Sequence, residues 1–116
     1  MLIVENDPRD CELLVHALTG VGLRATCAAT DLDAYAAMAA EPFDALVTDI
    51  DLGAGTTGFD VARQARRTWP DLPVIYMTGL DLETARHAVA GSVALPKSGD
   101  YAELAGRIAE TLGRAR

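Results

Sequence analysis

The chain has 116 residues, half of them hydrophobic, with 10 basic and 17 acidic residues and a net charge of −7. That length suits one domain with a real core, so a single domain over residues 1–116 is expected. The acidic balance opposes direct nucleic-acid binding, which needs a basic surface, and no stretch approaches the ~20 apolar residues of a membrane span.

The start, MLIVENDPRD, places three apolar residues after Met1 before charge begins and does not read as a signal peptide. Leu2-Ile3-Val4 reads as a first strand. DPRDCELLVHALTG then reads as a helix, with Asp7 as N-cap, Pro8 in the first helical position and Gly20 at the C-terminal cap. Cys11, Leu14 and Leu18 fall on one face of it. LRATCAA alternates as a second strand. Cys11 and Cys27 lack metal-ligand or disulfide-framework spacing and are read as reduced core residues of a cytoplasmic protein.

TDLDAYAAMAAE is an alanine-rich helix in which Thr30 and Asp33 form a capping-box pair, and Pro42 stops it. Ala45 to Thr48 is the third strand. After a loop, Thr57 and Asp60 form another capping pair, opening a helix through Trp69 that Pro70 ends. LPVIYMTG is the fourth strand, apolar almost throughout, as burial on both faces demands. DLETARHAVAG is a short fourth helix closed by Gly91, and SVALP is the fifth strand. Ser98 can cap a last helix with Tyr101, Leu104, Ile108 and Leu112 on one face. Five strands alternating with five helices imply parallel pairing, right-handed crossovers and a doubly wound α/β sandwich.

In such a sheet, ligands bind beyond the carboxyl ends of the strands. Glu5, Asn6 and Asp7 follow strand 1, Asp49 and Asp51 follow strand 3, Thr78 ends strand 4, and Lys97 follows strand 5. Carboxylates suit magnesium, which prefers oxygen ligands. A hydroxyl and an ammonium suit phosphoryl oxygens, and a carboxylate held among them can act as a nucleophile. Lys97 is the only lysine in the chain; the other nine basic residues are arginines. A lone lysine at a strand end points to a need for its compact charge. Asp7 reads as a helix cap, and His16 and His87 as packing or surface residues.

Four motifs in order, VENDP, VTDIDLG, PVIYMTG and LPKS, together resemble the receiver domain of two-component response regulators over nearly the whole chain. The resemblance implies a five-stranded parallel sheet in the order 2-1-3-4-5. It makes Asp49 the phosphoacceptor, Thr78 the switch hydroxyl and Lys97 the phosphoryl-binding lysine. Glu5, Asn6, Asp49 and the backbone carbonyl of Asp51 would hold Mg2+. The partners it implies are a sensor histidine kinase or histidine phosphotransfer protein and an output protein, with the chain a monomer or weak homodimer and not itself an enzyme beyond slow autodephosphorylation.

The chain departs from the family pattern in places. Asn6 stands where an acid usually ligates the metal. Ala94 replaces an aromatic switch residue, and Ser98 replaces a proline. Asn6 favours an alternative, a pseudo-receiver that binds protein without being phosphorylated. Asp49-Ile50-Asp51 also echoes the two-aspartate motif of haloacid-dehalogenase phosphatases. Against that class, no cap and no downstream acidic pair are evident.

Overall fold

Strand β1 (Leu2–Val4) is fully buried, which is why it carries three apolar residues in a row. In this computed structural model, which describes residues 1–53, 56–78, 87–97 and 99–114, the order continues as α1 (Pro8–Gly20), β2 (Thr26–Ala28), α2 (Asp31–Ala40), β3 (Leu46–Asp49) and α3 (Gly58–Thr68). Then come β4 (Val74–Thr78), β5 (Val93–Pro96) and α4 (Tyr101–Arg114). The strands form one parallel sheet in the order β2-β1-β3-β4-β5, the order that the family resemblance implied. Five strands and four helices lie among the described residues. The expected helix DLETARHAVAG has residues 81–86 outside them.

Alternation along the strands divides the core into two layers. Leu2, Val4, Leu46 and Tyr76 face α2 and α3, where Ala34, Phe59, Val61 and Ala65 meet them. Ile3, Val47, Ile75 and Met77 face α1 and α4, where Leu14, Leu18, Leu104 and Ile108 meet them. The last helix buries the face expected of it: Leu104 and Ile108 are buried, and Tyr101 and Leu112 pack against the same cluster.

Local signals set the helix starts. Asp7 caps α1, accepting from the N–H groups of Arg9 at 2.9 Å and Asp10 at 3.3 Å, with Pro8 behind it. Thr57 and Asp60 complete a full capping box on α3. At α2 only half of the expected box forms, the Thr30 hydroxyl accepting from Asp33 N–H at 3.0 Å.

Three expectations are corrected. Gly20 is the last helical residue of α1, and the glycine that the turn needs is Gly22, at φ +84°. The α4 N-terminus is capped by Asp100, whose carboxylate accepts from Glu103 N–H at 3.1 Å; Ser98 lies outside the described residues. Cys11 and Cys27 are not separate reduced residues but a disulfide. Packing of α1 over the β1–β2 edge brings their Cα atoms to 6.2 Å, within bonding range, a proximity that sequence spacing does not encode. No described helix is long and apolar enough to cross a membrane.

Candidate functional site

The carboxyl ends of β1, β3, β4 and β5 meet at one edge of the sheet. Glu5 follows β1 directly and is buried, its N–H donating to Ala28 O at 3.1 Å, which ties it to the end of β2. Asp49 is the last residue of β3 and is 8 % exposed. Thr78, the last residue of β4, is buried, and its carbonyl accepts from Lys97 N–H at 2.8 Å. That bond fixes the β5 end in register, so the side chain of Lys97 projects from a defined point.

Lys97 Nζ bridges the two acids. It donates to Asp49 Oδ2 at 2.9 Å and lies 3.2 Å from Glu5 Oε2. The other oxygen of Glu5 accepts from Asp7 N–H at 3.2 Å. Burial pushes the Glu5 carboxyl above its ordinary range, the Asp7 N–H opposes this, and the Asp49 charge adds to it. Burial works against the Lys97 ammonium, but the hydrogen bond and charge of Asp49, joined by Glu5, outweigh it and carry the group upward. The ammonium therefore stays charged, and it holds together two carboxylates that would otherwise repel.

Asn6 and Asp51, unlike Glu5 and Asp49, are not buried. Asn6 is exposed. Asp51 turns its side chain into its own loop, where Oδ1 accepts from Gly53 N–H at 3.0 Å. Among the described residues no group of three or more His, Cys, Asp or Glu side chains is placed to hold a metal ion. Two buried carboxylates still fit Mg2+, because that ion commonly takes one or two carboxylates and completes its shell with water and phosphate oxygens. His16 and His87 are both exposed, as expected, and His87 packs its ring 5.5 Å from Phe59.

Two parts of the site escaped sequence reasoning. Gly58, the first residue of α3, lies directly over the Asp49 backbone. A Cβ there would fall on the Asp49 carbonyl oxygen and 2.9 Å from Thr48 Oγ1. Gly58 N–H donates to Ile50 O at 2.7 Å, and Thr48 Oγ1 donates to Asp49 O at 2.8 Å, so the backbone at Asp49 and Ile50 is held by both neighbours. The signal was a glycine just behind the Thr57 cap. The second part is a short hydrogen bond from Tyr101 Oη to Asp10 Oδ1, joining α4 to α1. These two residues line a cavity of about 50 Å³ shared with Glu5 and Lys97. The Asp10 bond, then burial, pushes the Tyr101 phenol up to about 12. The partners lie 91 positions apart, and no local pattern signals that pair.

Residues 1–108 match the family model described as the response regulator receiver domain. A response regulator receiver protein of Anaeromyxobacter sp. is 41% identical over 76 residues, which cover 66% of this chain and 31% of that protein. The chain spans about a third of the length of the first curated relatives it matches. Among solved structures, a response regulator receiver protein from Sinorhizobium medicae superposes with a TM-score of 0.86 at 26% identity, covering 99% of this chain and 94% of that one. TrrA from Thermotoga maritima, solved with Mg2+ and BeF, gives 0.76 at 24% identity, covering 95% and 96%.

Proposed function

Since the chain belongs to the response regulator receiver family, we propose that it takes a phosphoryl group from a phosphohistidine onto Asp49 and so switches a protein-interaction surface. The observation that carries this reading is the Lys97 ammonium, 2.9 Å from the Asp49 carboxylate and 3.2 Å from that of Glu5 at the carboxyl end of the sheet. An Asp49 oxygen attacks phosphorus, the phosphorus–nitrogen bond breaks, and the imidazole leaves with the bonding pair. The product is an acyl phosphate. Little covalent chemistry is asked of the chain beyond holding the nucleophile and neutralising charge on the phosphoryl oxygens. Lys97 supplies a positive charge already in contact with the nucleophile. Thr78 supplies a hydroxyl for a phosphoryl oxygen. Water attacking the acyl phosphate would reset the domain slowly.

Glu5, Asn6, Asp49 and the Asp51 backbone carbonyl would hold Mg2+, whose charge would further neutralise the incoming phosphate. The Mg2+ in the TrrA structure supports this choice of ion. The phosphodonor would be a sensor histidine kinase or histidine phosphotransfer protein, and the readout an output protein.

The exposed amide of Asn6, in place of a third acid, favours a second reading, a pseudo-receiver that binds protein unphosphorylated. Intact mass after incubation with acetyl phosphate and Mg2+ separates the two. One added phosphoryl group, lost in Asp49→Ala, is the expected result. No mass gain in folded wild type would establish the second reading, and an undiminished gain in Asp49→Ala would move the acceptor elsewhere.

A further inference from the structure

The disulfide sits beside the acidic end of the site. Cys11 lies in the first turns of α1, and its N–H donates to Asp7 O at 3.0 Å. Cys27 lies in β2, paired in register with Ile3, while the next residue, Ala28, accepts the Glu5 N–H. The S–S bond thus closes a ring around Glu5, Asn6 and Asp7, formed by β1, the start of α1 and the end of β2. Its two sulfur-bearing residues differ in access: Cys11 is 3 % exposed, whereas Cys27 is exposed on an edge strand. A cavity of about 500 Å³ is lined by both cysteines and by Glu5, Pro8, Glu12 and Asp33.

We propose that Cys11 and Cys27 are a reversible dithiol–disulfide site, opened by a dithiol reductant at Cys27, whose redox state sets the rigidity of the Glu5–Asp7 segment. In the first step a thiolate of the reductant attacks the Cys27 sulfur. The Cys11–Cys27 bond breaks, and Cys11 leaves with the electron pair and takes up a proton. In the second step the reductant's other thiol attacks the mixed disulfide and releases Cys27 as a thiol. Two electrons pass to the protein, and the reductant ends as its own disulfide. Glu12 and Asp33 at the cavity favour a neutral or cationic dithiol over the anionic glutathione. With the bond open, α1 remains on the sheet through Leu14 and Leu18, but the link between the start of α1 and β2 is lost.

The thiol chemistry stands apart from the receiver reading; only its effect on phosphoryl acceptance rests on that reading. The test compares protein treated with dithiothreitol with protein oxidised by diamide, alongside Cys27→Ser. Alkylation followed by intact mass should find two free thiols in the first, none in the second and one in the variant. The reduced protein and the variant should melt about 10 °C lower than the oxidised protein, the size expected for a closed loop of this length. Amide hydrogen exchange at Glu5, Asn6 and Asp7 should be at least tenfold faster in the reduced protein and the variant. Uptake from acetyl phosphate should fall several-fold in both. Two free thiols after oxidation, or a disulfide that the dithiol does not open in the folded protein, would overturn the proposal. Equal exchange at residues 5–7 in both redox states would also overturn it. If neither redox state takes up phosphate, the receiver reading fails, while the thiol counts and exchange rates still decide this proposal.

Discussion

Lys97→Met removes one positive charge while keeping most of the side chain's length, and its consequences follow from two distances. The ammonium lies 2.9 Å from Asp49 Oδ2 and 3.2 Å from Glu5 Oε2. Both acids are buried, whereas the lysine side chain is 40% exposed. Unit charges at ~4 Å interact by about 4 kcal/mol at an effective dielectric of 20. Removing one partner of a fully buried pair costs about 3–5 kcal/mol. Solvent at the lysine screens part of this, so a loss of roughly 1–2 kcal/mol is expected for the metal-free variant. The same ammonium repels any divalent cation drawn to these carboxylates. Its removal should tighten Mg2+ binding about tenfold, or 1.4 kcal/mol. At a concentration 100 times the wild-type Kd, Mg2+ would stabilise wild type by about 2.7 kcal/mol and the variant by about 4.1 kcal/mol. Thermal melts with and without Mg2+ therefore give a sharp signature: the variant melts lower without the ion and gains more from it. Acceptance from acetyl phosphate should meanwhile fall by at least tenfold. Equal Mg2+ gains in the two proteins would show that ammonium and cation do not share the same carboxylates, and the site would have to be redrawn.

Gly58→Ala should cost roughly 1–3 kcal/mol in chemical denaturation, because the new methyl meets backbone at Asp49 and not a yielding side chain. Wild-type stability in the variant would show that α3 can move off the Asp49 carbonyl freely. Tyr101→Phe should cost about 1–2 kcal/mol, since it leaves Asp10 without its phenolic donor. The same pair gives a pH dependence of known sign. The folded phenol is raised from 10.0 to about 12, so its contribution is complete below pH 10 and disappears as pH climbs toward 12. The stability difference between wild type and Tyr101→Phe, followed in urea melts across that window, should shrink to near zero; a constant difference would remove the hydrogen bond as its cause. Asp51→Asn should leave Mg2+ affinity unchanged, because that side chain is engaged with Gly53 N–H; a tenfold loss, read by isothermal titration, would place the carboxylate on the metal.

How far the sequence discloses this molecule depends on the range of each signal. β3 and β4 are legible because strands covered on both faces must be apolar throughout, and LVT and VIYMT are buried at every residue. The Asp7 and Thr57 caps are legible because the bonding partners lie two or three residues away. β5 is legible despite its exposure as an edge strand, because Gly91 and Lys97 bracket it. What could not be read was made by packing between distant segments. The Cys11–Cys27 and Asp10–Tyr101 bonds join surfaces that only the βα crossovers bring together, and the approach of Gly58 to Asp49 comes from the start of α3 packing back on the end of β3. The Asp51 side chain is a different case. Residue order does not decide whether its carboxylate turns to a cation, to solvent or into its own loop, and the nearby Gly53 N–H takes it.

Register carries the remaining burden of the site. Glu5, Asp49 and Lys97 come from three strands, and the separation of 48 positions between Asp49 and Lys97 leaves their meeting to the sheet. β3 is aligned on β4 through Asp49 and Met77, and β4 on β5 through Thr78 and Pro96. A slip of one residue in β5 would move Lys97 by about 3.3 Å along the strand and turn its side chain to the other face, out of reach of both acids. β5 is at an edge and contributes few buried side chains, so hydrophobic patterning alone pins it weakly. The Lys97 N–H to Thr78 O bond compensates for this, because it closes the ladder at the residue whose side chain matters. Thr78 thus has a structural task, through its carbonyl, that is independent of its hydroxyl. A Thr78→Ala variant should therefore keep the Lys97–Asp49 contact and lose only what the hydroxyl does, which separates positioning of the lysine from any part Thr78 plays in signalling.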